Sequence, residues 1–147
     1  MPIQGGGRLS GQVAGTRVGL LYIRTDGVAG VEGAGGDAFT VARVSRELGN
    51  RTNLGGIFLQ RDGVDLGGDY NRTWGIDGQL GIGSALTLQG LAARTETPGL
   101  DGRDHMVDLG GTYQSRSLRL NGSFREVGED FNPEVGFLRR SGYRSYN

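Results

Sequence analysis

The stretch TWGIDGQLGI (73–82) alternates without a break. Trp74, Ile76, Gly78, Leu80 and Ile82 fall on one side, and Thr73, Gly75, Asp77, Gln79 and Gly81 on the other. A two-residue period is that of an extended strand whose faces meet different surroundings. It recurs downstream. In 85–95, Leu86, Leu88, Gly90 and Ala92 oppose Thr87 and Gln89. In 104–114, His105, Val107, Leu109, Gly111 and Tyr113 oppose Met106, Asp108, Gly110 and Thr112. In 117–127, Leu118, Leu120, Gly122 and Phe124 oppose Arg119, Asn121, Ser123 and Arg125. Upstream, 3–13 alternates Ile3, Leu9 and Val13 with Gln4, Arg8, Ser10 and Gln12, and 17–25, 38–48 and 53–61 read as three more strands. Within these, VGLLYI and IFL are apolar on both faces. No segment carries a helical period. The prediction is an all-β chain, one antiparallel up-and-down meander of about eight strands over residues 1–147.

The connections near 14–16, 49–52, 83–84 and 114–117 are short, whereas those near 26–37, 62–70, 95–103 and 128–134 are longer and rich in Gly, Asp and Pro. Short and long alternate strictly, so a meander gathers all short turns at one end and all long loops at the other. Outer-membrane barrels have this asymmetry, with short periplasmic turns and longer external loops. Strands of about 11 residues also suit a tilted crossing of a bilayer, which takes ~9–11. Tyr22, Phe39, Tyr70, Trp74 and Phe124 collect near the long loops and Tyr113 near a short turn, as an aromatic girdle would. Alternation alone leaves two readings open: a soluble barrel turns its apolar face inward, and a membrane barrel turns it to lipid. In the membrane reading Arg8, Arg43, Asp77, Asp108, Arg119 and Arg125, all opposite the apolar faces, are the expected lumen charges.

Composition narrows the function classes. The 16 basic residues, every one Arg, balance 16 acids, so no net field favours nucleic acid. With no Cys and His105 as the single histidine, neither thiolate nor histidine-cluster metal sites are expected. The 30 glycines follow no collagen period and mark turns and close approaches in a β protein. GAGGDAF (33–39) occurs once, whereas calcium-binding Gly-Asp turns come in tandem. GIGSAL (81–86) sits in a hairpin and lacks the third glycine of a dinucleotide fingerprint. Asn71-Arg72-Thr73 is one of several chance matches to a glycosylation acceptor. MPIQGGGRLSG has no basic n-region or apolar h-region of a signal peptide, and no apolar run approaches the ~18 residues of a membrane helix.

The most distinctive stretch is GEDFNPEVGFLRR (128–140), which crowds Glu129, Asp130 and Glu134 around Asn132-Pro133, with Phe131 and Phe137 on either side and Arg139 and Arg140 beyond. Paired carboxylates can serve acid–base chemistry of the glycosidase kind, but three in one loop beside arginines are expected to pair with them. Pro133 fixes its own φ and extends Asn132, giving a defined turn. The expectation is a structural latch, with a phenylalanine folded back on the sheet and an acid reaching Arg139, Arg140 or Arg125.

This stretch resembles the motif of a family of bacterial outer-membrane barrel domains catalogued as domain of unknown function 5916. GGRLSG (6–11), FTVARVSRELGNRTNLGGIFLQR (39–61) and TWGIDGQL (73–80) fit the same resemblance. In that family the barrel follows a module resembling family-9 carbohydrate-binding domains, which this chain does not contain. The resemblance implies a non-enzymatic, cofactor-free segment of a longer barrel in the bacterial outer membrane. Its expected partners are lipid on the apolar face, the remaining strands of the same barrel, and a solute, carbohydrate by resemblance, that passes through or docks. SGYRSYN (141–147) reads as the start of one further strand.

Overall fold

The structure is a computed structural model and describes residues 2–27, 35–64, 68–100, 102–136 and 140–147. They form β1 (Ile3–Val13), β2 (Thr16–Thr25), β3 (Asp37–Gly49), β4 (Thr52–Gly63), β5 (Tyr70–Ile82), β6 (Leu86–Glu96), β7 (His105–Gln114), β8 (Arg119–Val127) and β9 (Tyr143–Tyr146). No helix occurs among the described residues. All nine strands belong to one sheet in the order of the sequence, each antiparallel to the next. The meander thus has nine strands rather than eight, because SGYRSYN supplies β9. β1 and β9 are the two edges and do not pair, so the sheet is open. As odd members of a meander, β1 and β9 run in the same direction, and an all-antiparallel closure would need another strand between them.

The short-turn end is set by local chemistry. Ala14 and Gly15 have φ of 48° and 77°, and Asn50 and Arg51 have 44° and 57°. Two successive positive φ angles make a type I′ hairpin, whose twist matches that of its strands. Asn50 accepts this conformation readily, and its side-chain amide donates to the Gly81 carbonyl at 2.7 Å. Arg51 donates to the Thr87 hydroxyl at 3.0 Å and the Gly83 carbonyl at 2.8 Å, tying the second short turn to the third.

Directly opposed residues of an antiparallel pair share a face, so the register sorts the side chains. One face carries Leu9, Leu20, Ala42, Phe58 and Trp74 in one cross-strand row, and Val18, Val44, Gly56, Ile76, Ala92 and Val107 in the next. The other carries Arg17, Ser45, Gly55, Asp77, Leu91, Asp108, Arg125 and Ser145 in one row. Trp74, Ile76, Leu80, Leu86, Leu88, Val107, Leu109 and Leu120 lie together on the apolar face, as the alternation predicts, and Leu118 lies just ahead of β8.

Two segments depart from simple parity. A bulge between Ile3 and Gly5 puts Ile3 opposite Thr25, out of step with Leu9 and Val13. Phe39 pairs with Ile23 and Arg61, so it belongs to the polar face and not to an outward girdle. The doubly apolar strands now have a reason. Leu21, Ile23, Val41, Ile57 and Leu59 join Phe39 on the polar face towards the long-loop end, where they are half-buried.

Candidate functional site

The polar face carries the expected lumen charges, and arginines pair with acids across it. Arg43 on β3 reaches Asp77 on β5 at 2.8 Å, passing over β4 at Gly55. A Cβ on Gly55 would lie 3.0 Å from Asp77 Oδ1 and 3.1 Å from Arg43 Nη2, so the glycine makes room for the pair. Arg125 and Asp108 are direct cross-strand neighbours, with Nε donating to Oδ2 at 2.7 Å. Arg17 pairs with Glu47 at 2.5 Å. Arg8 and Arg119 share the face but stand apart, opposite Leu21 at one edge and Gln114 near a short turn. Between the side chains are two open clefts. One of about 770 Å³ is lined by Gln89, Asp108, Ser123, Arg125, Tyr143 and Ser145. The other, of about 230 Å³, is lined by Gln12, Arg17, Arg43, Ser45, Glu47 and Asp77.

At the long-loop end the GEDFNPE segment leaves β8 and crosses back over β7, β6 and β5 to β4. Gly128 N–H donates to the His105 carbonyl at 2.8 Å, and Asp130 N–H to the Arg103 carbonyl at 3.1 Å. A Cβ on Gly128 would collide with that Arg103 carbonyl, so only glycine starts this path. Asn132 N–H then donates to the Thr95 hydroxyl at 3.1 Å. The Asn71 amide donates to the Asn132 carbonyl and to Thr97 Oγ1, both at 2.7 Å, while its oxygen accepts the Glu134 N–H at 3.3 Å. Asn71 is fully buried at 0% exposure and Thr95 nearly so. These side chains satisfy loop backbone groups that would otherwise be buried without partners.

Glu134 reaches Arg61, with Nε to Oε2 at 2.5 Å. Arg61 also holds Asp37 at 3.0 Å and Asp69 at 2.7 Å, so β3, β4, the β4–β5 connection and the latch meet on one guanidinium. Hydrogen bonds from Arg61 hold the Asp69 carboxyl below its ordinary value of 3.8. Phe131 folds in beside the sheet at 5% exposure, worth about 1.5–3 kcal/mol.

The latch expected from the sequence is therefore present, but its ionic partners differ. Glu134 takes Arg61 and Glu129 takes Arg103 at 2.6 Å, not Arg125 or Arg140. The loop runs away from β8 because Thr95 and Asn71 draw it across the sheet. Arg140 instead lies 6.0 Å from the Tyr143 ring centroid. Phe137 and Arg139 lie outside the described residues.

No described residue covers the apolar face. Leu9, Val13, Leu54, Ile76, Leu109 and Leu120 are each at least half exposed. By contrast, the buried side chains Val127, Phe131, Thr25, Asn71, Thr73 and Thr95 all belong to the polar face or to the loop laid on it. The apolar side chains form a belt whose upper border is level on β2–β5 and steps down from β5 to β8. Its upper border is Tyr22, Thr40, Gln60 and Arg72 on β2–β5. On β6 and β7 the border is Arg94 and His105, one row lower, because Trp74 of the belt pairs with Arg94. On β8 and β9 it is Glu126 and Arg144, a further row down, because Val107 pairs with Glu126. The lower border falls in the same sense. Leu54 ends the belt on β4 opposite Gly78, whereas β5–β8 continue to the row Ile82, Leu86, Tyr113 and Leu120.

No family model matches the chain, and neither does any curated protein or solved structure. Among the described residues no cluster of His, Cys, Asp and Glu is placed to hold a metal ion. Of the residues that build the latch, sequence reasoning missed Arg61, Asn71, Thr95, Asp37 and Asp69. Asn71 stood out only as part of an acceptor triplet, and its role depends on a partner 61 residues away.

Asn71→Ala removes three hydrogen bonds, two of them to the latch, and strands buried backbone groups, so it is expected to cost about 1–3 kcal/mol in unfolding measured in detergent micelles. The Asp69 shift gives a pH dependence. A depressed carboxyl stabilises the fold above its unfolded value, and that contribution is lost as pH falls through the folded value. Amide protection at residues 130–134, corrected for intrinsic exchange, should hold from neutrality down to the ordinary value of 3.8 and fall below it. A loss beginning near neutral pH would assign the latch to a different group.

Proposed function

We propose that the chain is a segment of an outer-membrane β-barrel. Its apolar face meets lipid, its polar face lines a lumen, and further strands of the same barrel complete the wall. The barrel serves passage or docking of a solute at the cell surface, with carbohydrate the class implied by the resemblance of 128–140 to the barrel family. No residue is assigned a catalytic role.

The oblique apolar belt is the observation that carries this reading. A membrane slab is flat, whereas barrel strands tilt by roughly 35–45°. The belt on a tilted strand must therefore shift by roughly one residue per neighbour. The upper border is level over β2–β5, and its descent of two rows, four residues, over the three steps from β5 to β8 matches that shift. Paired charges and amides on the other face suit a hydrated lumen, where they offer hydrogen bonds to a polar solute with little net field.

A soluble barrel with the apolar face inward is the second reading. An open apolar groove of about 780 Å³ on that face favours it, lined in part by Leu20, Val44, Phe58, Trp74, Ile76 and Val107. Against it, the latch and the buried side chains among the described residues lie on the polar face, which this reading would turn outward.

Ile76 is 64% exposed in the middle of the belt. In the membrane reading Ile76→Arg costs about 2–4 kcal/mol of folding stability in lipid and releases the chain from salt-washed membranes. Gln79→Arg, three residues on and facing the other way, leaves membrane retention intact. A chain that stays soluble after high-salt wash would hand the case to the soluble barrel.

A further inference from the structure

Charge is segregated along the strands of this neutral chain. The segments around the four short turns (10–19, 45–55, 79–89 and 111–122) contain Arg17, Arg46, Arg51, Arg116 and Arg119 and a single acid, Glu47. All five arginines are exposed. Among the described residues, the only acids below the upper border of the belt are Glu47, Asp77 and Asp108. Glu47 is taken by Arg17, Asp77 by Arg43 and Asp108 by Arg125. Among the described residues Arg46, Arg116 and Arg119 have no acidic partner.

Their height relative to the belt is specific. Arg46 stands on the apolar face directly opposite Leu54, the last belt residue of β4, so its guanidinium emerges at the lower border. Arg116 lies in the β7–β8 turn, beyond the Tyr113–Leu120 row that closes the belt there, whereas Arg119 opens β8 on the polar face, opposite Gln114, and is no part of the lipid-facing rim. Long arginine stems lie along apolar surface while their heads reach the polar boundary. A guanidinium binds phosphate oxygens through two parallel hydrogen bonds.

We infer that the short-turn end is a cationic collar that seats on the phosphate headgroups of anionic phospholipid in the leaflet it meets. This rests on the membrane reading, and goes beyond it by naming the lipid and the residues that hold it. The collar fixes the depth of the barrel and favours one leaflet, because the opposite rim is acidic.

The test is partition of the purified chain from detergent into phosphatidylcholine vesicles, and into vesicles in which a minor fraction of the lipid is phosphatidylglycerol. The chain should enter both and prefer the anionic vesicles, with the preference fading as sodium chloride is added. The double variant Arg46→Gln, Arg116→Gln should enter neutral vesicles as before and lose roughly fivefold in preference per arginine at low salt, whereas Arg119→Gln on the polar face should leave the preference as it was. A control removing as many charges at the other end, Arg24→Gln, Arg94→Gln, should keep the preference. Equal loss in the control, or a preference surviving in the double variant, would overturn the collar. So would abolition of the preference by inorganic phosphate at matched ionic strength, which would mark a discrete phosphate site. A chain that enters neither vesicle refutes the membrane reading itself, whereas one that enters both alike refutes the collar alone.

Discussion

One constraint governs this molecule: a broad sheet satisfies its backbone hydrogen bonds internally but leaves a belt of aliphatic side chains bare. Each Leu or Ile kept in water forgoes part of the about 1.5–3 kcal/mol that burial would return. Summed over the belt, that rivals the ~5–15 kcal/mol net stability of a typical domain. A chain cannot leave so much apolar surface in water without cost, so something covers this face. Hydrocarbon is the cover we propose, since it would demand what is seen: ladders complete between the borders, and polar residues at the rims. The drop of the upper rim from β5 to β8 is what a flat cover over inclined strands would give.

The opposite face is organised by a different rule. It cannot be filled by a conventional core, since Val127 and Phe131 are the buried hydrophobic side chains among the described residues. Instead, long side chains lie over small ones. Arg43 and Asp77 meet above Gly55, Gln89 lies against Gly110, and Ile57 lies against Gly75. The latch then roofs the long-loop end, with Asn71 and Thr95 accepting and donating the hydrogen bonds that a crossing loop would lose. The glycine abundance thus reflects space for ion pairs and amides as well as turns.

Much of the fold could be read from the chain because period-two alternation and turn chemistry are local. The strand positions, the alternation of short and long connections and the shared face of Trp74, Ile76, Leu80 and Leu88 followed from neighbours one or two residues apart. The sequence was mute where structure depends on register between distant segments. Phe39 looked like a girdle aromatic until pairing with Ile23 and Arg61 turned it to the polar face. The partner of Glu134 was sought among nearby arginines, but it is Arg61, 73 residues away. The bulge after Ile3 was invisible because parity was counted from one strand alone. The obliquity of the belt also emerges only when the rows are aligned across strands.

The central claim is that the apolar face lies against lipid, and the chain carries its own reporter. Trp74 is the single tryptophan, and it sits on that face just below the upper border of the belt, its ring 6.0 Å from that of Phe58. The most direct measurement is quenching of Trp74 fluorescence in vesicles, comparing lipids brominated at different acyl depths with acrylamide in the water. The account predicts strong quenching by bromines near the headgroup end of the chains, weaker quenching by those at the bilayer centre, and little by acrylamide. Quenching by acrylamide without any effect of brominated lipid would contradict it.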